Sequence, residues 1–194
     1  YGPPGTGKSR LAEALAVSAF RELKDELGDK TVSFIAIGAA DVKGGHVGES
    51  EGNLNRWFRI AEAYQPCVLF IDEMDTLLIN RQSKNAPNDG GASLSVLGTF
   101  LQLTDGPNVD PGRQVILLGA TNDPTEVDPA AMRRFAPLHI PLPDEEARNA
   151  FFCKGIYGDS CDKVKAKCPR CMEGVLHLTN QSEGYSGADI TRIL

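Results

Sequence analysis

The chain begins YGPPGTGKSR (residues 1–10), and the reading of this stretch decides the rest. Gly2, Gly7, Lys8 and Ser9 fit the spacing GxxxxGK followed by Ser or Thr, a phosphate-binding loop normally held between a strand and a helix. The glycines let backbone N–H groups converge on phosphate oxygens, and the helix that follows adds the positive end of its dipole. Lys8 is then the side chain that reaches the β- and γ-phosphates, and the Ser9 hydroxyl is a ligand for Mg²⁺. Only Tyr1 precedes the loop, so the strand that feeds such a loop is expected upstream, and the chain reads as an excised piece.

A length of 194 residues with 41% hydrophobic content can bury one substantial core and the start of a second, small unit. There is no apolar run of the roughly 18 residues that a membrane span needs, so direct membrane insertion is not expected. The formal charge of −6 argues against the whole chain wrapping nucleic acid, which is not expected as a partner. Five cysteines beside a phosphate loop read as reduced thiols or metal ligands rather than a disulfide framework, which places the protein inside the cell, in the cytoplasm.

Along the chain, Leu11, Leu15, Phe20, Leu23 and Leu27 recur near helical spacing, with Gly28 as a stop. TVSFIAI (31–37) reads as a buried strand. A glycine-rich loop, DVKGGHVGES, leads into a helix with Leu54, Trp57, Phe58 and Ala61 on one face. CVLFIDE (67–73) is a strand ending in two acids, and residues 81–91 form a polar loop. A helix over about 93–104, the strand VILLGATN and the short run APLHIPLP follow. Strands alternating with helices predict a parallel sheet covered on both faces. From Asp144 the strand signals stop, and two helical stretches flank a Cys- and Lys-rich insertion, so 1–143 and 144–194 read as separate units.

Three further stretches carry chemistry. At the end of VLFIDE, Asp72 can hold Mg²⁺, leaving Glu73 free to orient and deprotonate an attacking water. Asn122, closing GATN, can hydrogen-bond that water or the γ-phosphate without adding charge. Arg133 and Arg134, in AAMRRF, could be delivered in trans to a phosphoryl group.

In order, GPPGTGKS, GHVGES, VLFIDEMD, VILLGATN, DPAAMRRF and GYSGADI resemble the motifs of an AAA ATPase over nearly the whole chain. LLINR, FLQLTDG and IPLPDEEAR look most like the branch containing katanin, spastin, fidgetin and the ATPase that disassembles ESCRT polymers. The resemblance implies a P-loop NTPase fold, a three-layer αβα sandwich whose first strand is missing here, followed by the start of a small helical lid. It implies ATP and Mg²⁺ as ligands, with Gly2, Pro3, Pro4, Gly5, Thr6, Gly7, Lys8, Ser9 and Arg10 as the phosphate loop. Ser9 and Asp72 are the metal ligands and Glu73 the base. Asn122 matches sensor 1, Arg133 and Arg134 match paired arginine fingers, and Gly187 and Ala188 match the sensor-2 region near the base. His46 and Val47 match the first pore loop, which grips a protein substrate in the channel of a hexameric ring. There the family usually has an aromatic residue where this chain has His46. APLHIP is also shorter than the branch's pattern and lacks its basic residues.

The third departure is CDKVKAKCPRCMEGVLH. Cys161, Cys168, Cys171 and His177 could close a tetrahedral structural zinc site, the alternative being unbound thiols in a basic insertion. The sequence therefore points to an ATP-driven protein remodeller working as a ring. The alternatives are a nucleic-acid motor or clamp loader on the same core, and a non-catalytic nucleotide-switched scaffold, against which the intact Glu73 argues.

Overall fold

The computed structural model describes residues 1–27, 31–46, 48–81, 91–106, 110, 112–162 and 168–194. They divide into two compact units: Tyr1 with Ser9–Leu138, and Gly2–Lys8 with His139–Leu194.

The first unit is built on three strands, β1 (Ser33–Ile37), β2 (Cys67–Ile71) and β3 (Val115–Gly119). β2 lies in the middle and runs parallel to both neighbours, with Leu69 opposite Ile35 on one side and Leu117 on the other. All five of its residues are buried, which is why it reads as an unbroken apolar run. Parallel neighbours need long crossovers, and helices supply them. α2 (Ala39–Val42) and α3 (Glu49–Ala63) connect β1 to β2, and α4 (Met74–Leu77) and α5 (Ala92–Asp105) connect β2 to β3. α1 (Lys8–Leu27) precedes the sheet and α6 (Pro129–Met132) follows it.

Alternation along the strands sends Ile35, Ile37, Leu69, Ile71 and Leu117 into the main core, against Leu54 and Phe58 of α3 and Val96, Leu97 and Phe100 of α5. Phe34, Phe70 and Leu118 pack in a separate cluster with Ala12 of α1. Helices thus cover both faces of a parallel sheet, the expected αβα sandwich. The buried stripe of α1 differs from the expectation. Ala12 and Ala16 are each 5% exposed, whereas Leu11 and Leu15 stand 38% and 47% exposed. A methyl side chain lets a helix lie close to a sheet surface already filled by Phe34 and Phe70. The side chains of Phe20, Leu23 and Leu27, and Gly28, lie outside the described residues, as does nearly all of the polar loop after Arg81.

The second unit contains α7 (Glu145–Tyr157), a 3-10 turn (Gly158–Ser160), α8 (Pro169–Gln181) and α9 (Gly187–Ile193). Asp144 caps α7 by accepting from the Ala147 N–H at 2.8 Å, and Glu145 and Glu146 place negative charge on its first turn. Phe152, Cys153, Cys161, Val175 and Ile190 form its core. Arg148 is only 8% exposed; its Nε donates to the Thr179 carbonyl at 3.3 Å and its Nη1 to the Pro143 carbonyl at 3.0 Å. A guanidinium used in this way ties α7 to the end of α8.

Candidate functional site

The candidate residues fall into two groups, one in each unit. In the first, the carboxyl end of β2 delivers the two acids. The Asp72 N–H donates to the Ile37 carbonyl at 2.8 Å and the Met74 N–H to the Ala120 carbonyl at 2.9 Å, so the turn is fastened to the ends of both neighbouring strands. Alternation puts Asp72 on the Phe70 face, where α1 lies, and the Ser9 hydroxyl donates to Asp72 Oδ2 at 2.7 Å. Oδ1 of Asp72 accepts from the Glu73 N–H at 2.9 Å. Glu73 has φ 51° and ψ 50°, and it alone among the described non-glycine residues has positive φ. A left-handed backbone costs such a residue about 1–3 kcal/mol, and strain of this kind clusters at functional sites. The Glu73 side chain is exposed. With Ser9, Arg10, Gly38 and Asp72 it lines a cleft of about 510 Å³, which Phe34 and Phe70 also border. Converging hydroxyl and carboxylate oxygens, with no soft ligand among them, fit Mg²⁺, which takes one or two protein oxygens and fills its shell with water and phosphate.

β3 leads into a rigid turn. Thr121 Oγ1 donates to the Asp123 carbonyl at 3.0 Å and accepts from the Asp123 N–H at 3.1 Å. Asp123 Oδ1 accepts from the Thr125 hydroxyl at 2.7 Å and the Thr125 N–H at 2.8 Å, and these bonds hold the Asp123 carboxyl below the usual aspartate range. Asn122 is exposed within this turn.

Asp128, 2% exposed, organises the arginine segment. Its Oδ1 caps α6 by accepting from the Ala130 N–H at 2.9 Å, and its Oδ2 lies 3.0 Å from Arg81 Nε. Beyond α6 the two arginines differ. Arg133 is exposed and makes no ion pair among the described residues. Arg134 is half-buried, with Nε 2.8 Å from Asp105 Oδ2, a charge contact without good hydrogen-bond alignment. His46 is exposed; its N–H and that of Gly45 donate to Glu49 Oε2 at 3.1 and 2.8 Å, folding the loop onto the start of α3. Val47 lies outside the described residues.

The second group is the phosphate loop. Lys8 Nζ donates to the carbonyls of Gly2 and Pro3 at 2.8 and 2.9 Å, and the Thr6 hydroxyl donates to Pro3 at 2.9 Å. Gly5, at φ 76°, accepts from the Ala188 N–H at 3.1 Å, and a Cβ there would meet Ser186 Oγ at 2.5 Å. Gly187 and Ala188 are thereby brought beside Gly5, while Pro4 and Gly7 are exposed. Ser186 caps α9 reciprocally with Asp189, and the Ser186 hydroxyl and N–H hold the Asp189 carboxyl below its usual range. Sequence reasoning missed Ser186, Asp105, Asp128 and Arg148. For Ser186 the signal was legible: Ser followed three residues later by Asp ahead of Ile190 resembles a capping box.

The possible zinc site at Cys161, Cys168, Cys171 and His177 does not form. Cys161 is disulfide-bonded to Cys153, and Cys168 to Cys171, so none of the three offers a thiolate to a metal. His177 is exposed on α8, and no cluster of three or more His, Cys, Asp or Glu able to hold a metal occurs among the described residues. The reading of all five cysteines as thiols or ligands is corrected in the same way: only Cys67, 1% exposed on β2, keeps its thiol, and burial pushes its pKa up. No helix among the described residues is long and apolar enough to cross a membrane.

A parallel sheet layered between helices, a GxxxxGKS loop, and a central strand ending in an Asp bonded to Ser9 define a P-loop nucleoside triphosphatase. Residues 1–141 match the ATPase family associated with various cellular activities (AAA), and the chain belongs to it as an AAA ATPase domain. It is 35% identical over 191 residues to Fidgetin-like protein 1 of Drosophila melanogaster, covering 98% of this chain and 32% of that protein. With Spastin of Drosophila willistoni it shares 34% identity over 195 residues, 100% of this chain and 22% of the other. Fidgetin-like protein 1 of Xenopus tropicalis is 31% identical over 194 residues, 100% of this chain and 26% of that protein. These likenesses put the chain in the katanin, spastin and fidgetin branch, and it spans only 22–32% of the relatives' length.

Proposed function

We propose that the protein carrying this domain binds ATP with Mg²⁺ and hydrolyses it as a homohexameric ring, using the energy to remodel, disassemble or thread protein substrates. The observation that supports hydrolysis is the acidic end of β2: Asp72 is held by Ser9, and an exposed Glu73 is fixed in a strained backbone at the edge of a cleft. In this reading the N–H groups of the loop from Gly2 to Arg10 and the Lys8 ammonium bind phosphate oxygens, and Gly187 and Ala188 lie near the base. Ser9 and Asp72 hold Mg²⁺, which when bound supplies positive charge to the β- and γ-phosphate oxygens. Glu73 orients the attacking water and takes its proton, and Asn122 hydrogen-bonds the water or the γ-phosphate. Arg133 and Arg134 serve the neighbouring subunit's ATP, and His46 and Val47 face the substrate in the channel. The cytoplasm is the proposed location.

The test uses the full-length protein. Glu73→Gln should bind ATP but turn it over at least about a hundredfold more slowly, the low end for a positioned base. Lys8→Ala should lose ATP binding itself. Wild-type turnover in Glu73→Gln would overturn the assignment.

A further inference from the structure

The two disulfides sit in different surroundings. Cys153 and Cys161 are 0% and 5% exposed, inside the core that Phe152, Val175 and Ile190 complete. Cys168 and Cys171 are half-exposed at the start of α8. Cys168 is the N-cap, and its carbonyl accepts from the N–H groups of Cys171 at 3.1 Å and Met172 at 3.3 Å. Pro169 occupies the first helical position, where a missing N–H costs nothing, and Arg170 beside it is exposed.

Three physical factors favour thiol exchange at this second pair. An external thiolate can reach it, whereas the packed core shields Cys153–Cys161. The positive dipole end of a 13-residue helix, with the exposed Arg170 beside it, favours a thiolate on Cys168. The short separation of the two cysteines also keeps the reduced sulfurs close enough to re-close without a long search. We infer that Cys168–Cys171 is a redox-exchange site that takes small thiols and dithiols as reductants and small disulfides as oxidants, while Cys153–Cys161 is a fixed structural bond.

In the forward step a reductant thiolate attacks the Cys168 sulfur, the Cys168–Cys171 bond breaks, and Cys171 leaves and takes a proton. The second thiol of the same dithiol attacks its own partner sulfur in the mixed disulfide and expels Cys168. The protein pair gains two electrons and two protons, and the dithiol becomes its disulfide. Oxidation by a small disulfide is the reverse, with the Cys168 thiolate attacking first. A disulfide of this kind suits a reducing compartment, where such bonds are transient and sense the thiol pool.

The experiment treats the folded full-length protein with graded dithiothreitol, alkylates free thiols and maps the labels by peptide mass spectrometry. Cys168 and Cys171 should be labelled together at a dithiol concentration at least about tenfold below that which opens Cys153–Cys161, with Cys67 unlabelled. Oxidised glutathione should then abolish labelling of the pair. Simultaneous opening of the two disulfides, or greater resistance of Cys168–Cys171, would overturn the inference. In single variants, Cys168 of Cys171→Ser should alkylate at neutral pH roughly tenfold faster than Cys171 of Cys168→Ser. Equal rates would overturn the assignment of Cys168 as the attacking sulfur. Should a variant fail to fold, the wild-type titration decides.

Discussion

A glutamate at φ 51° fits its own backbone poorly, and this sets what substitution of Glu73 should do. Glycine adopts the left-handed region without a Cβ penalty, so the relief of strain should offset the entropy that glycine loses on folding. Glu73→Gly should therefore leave stability unchanged or raise it by up to about 2 kcal/mol while abolishing turnover, rather than showing the loss of about 0.5–1 kcal/mol typical of an introduced glycine. Urea melts beside ATPase assays check both halves. At this scale the chemistry was legible where strand grammar carried it: an apolar run ending in Asp-Glu placed Asp72 and Glu73 at a strand end. The Glu73 dihedral was not legible, because it is imposed by the neighbouring strands that hold Asp72 and Met74. The difference between Arg133 and Arg134 was equally hidden, since Asp105 meets Arg134 only in the folded chain.

Short elements depend on their caps more than long ones, and α6 has only four residues. Asp128 accepts both from Ala130 and from Arg81, but Arg81 is 57% exposed, so most of the value lies in the cap. Asp128→Ala should lower stability by about 1–2 kcal/mol, and Asp128→Asn, which retains a capping oxygen, by less; thermal melts of the two would show the order. The turn after β3 provides a pH test. Asp123, Glu51 and Asp189 are all held below their usual values by hydrogen bonds, from Thr125, Ser95 and Ser186 respectively. Each contributes stability that is present above the ordinary carboxylate pKa and is lost as pH falls through the lowered value. The melting midpoint should drop as pH falls below the carboxylate range, and Thr125→Val should flatten that drop. Helix and strand positions were readable from periodicity, whereas the buried stripe of α1 was not. Periodicity favours the largest apolar residues, whereas Ala12, packed with Phe34 and Phe70, and the equally buried Ala16 form the buried stripe.

At the scale of the whole molecule, the proposed ring makes a prediction that no lone subunit could satisfy. Arg134→Ala retains its own Asp72 and Glu73, and should bind ATP normally yet leave its neighbour unable to hydrolyse, a loss of roughly 10³ or more in rate. Mixing it with Glu73→Gln subunits should restore part of the activity, because an interface pairing an intact base with an intact arginine can then form. Steady-state ATPase across mixing ratios checks this, and a flat, inactive series would exclude the ring. The composition of the second unit could not be read from sequence order, because Gly2–Lys8 is assigned with the far end of the chain. That assignment bears on synthesis. Gly5 leaves the ribosome about 180 residues ahead of Ser186 and Ala188, the residues that pack against it and donate to its carbonyl. At about 5–20 residues per second, the nascent phosphate loop waits on the order of ten to forty seconds for that support.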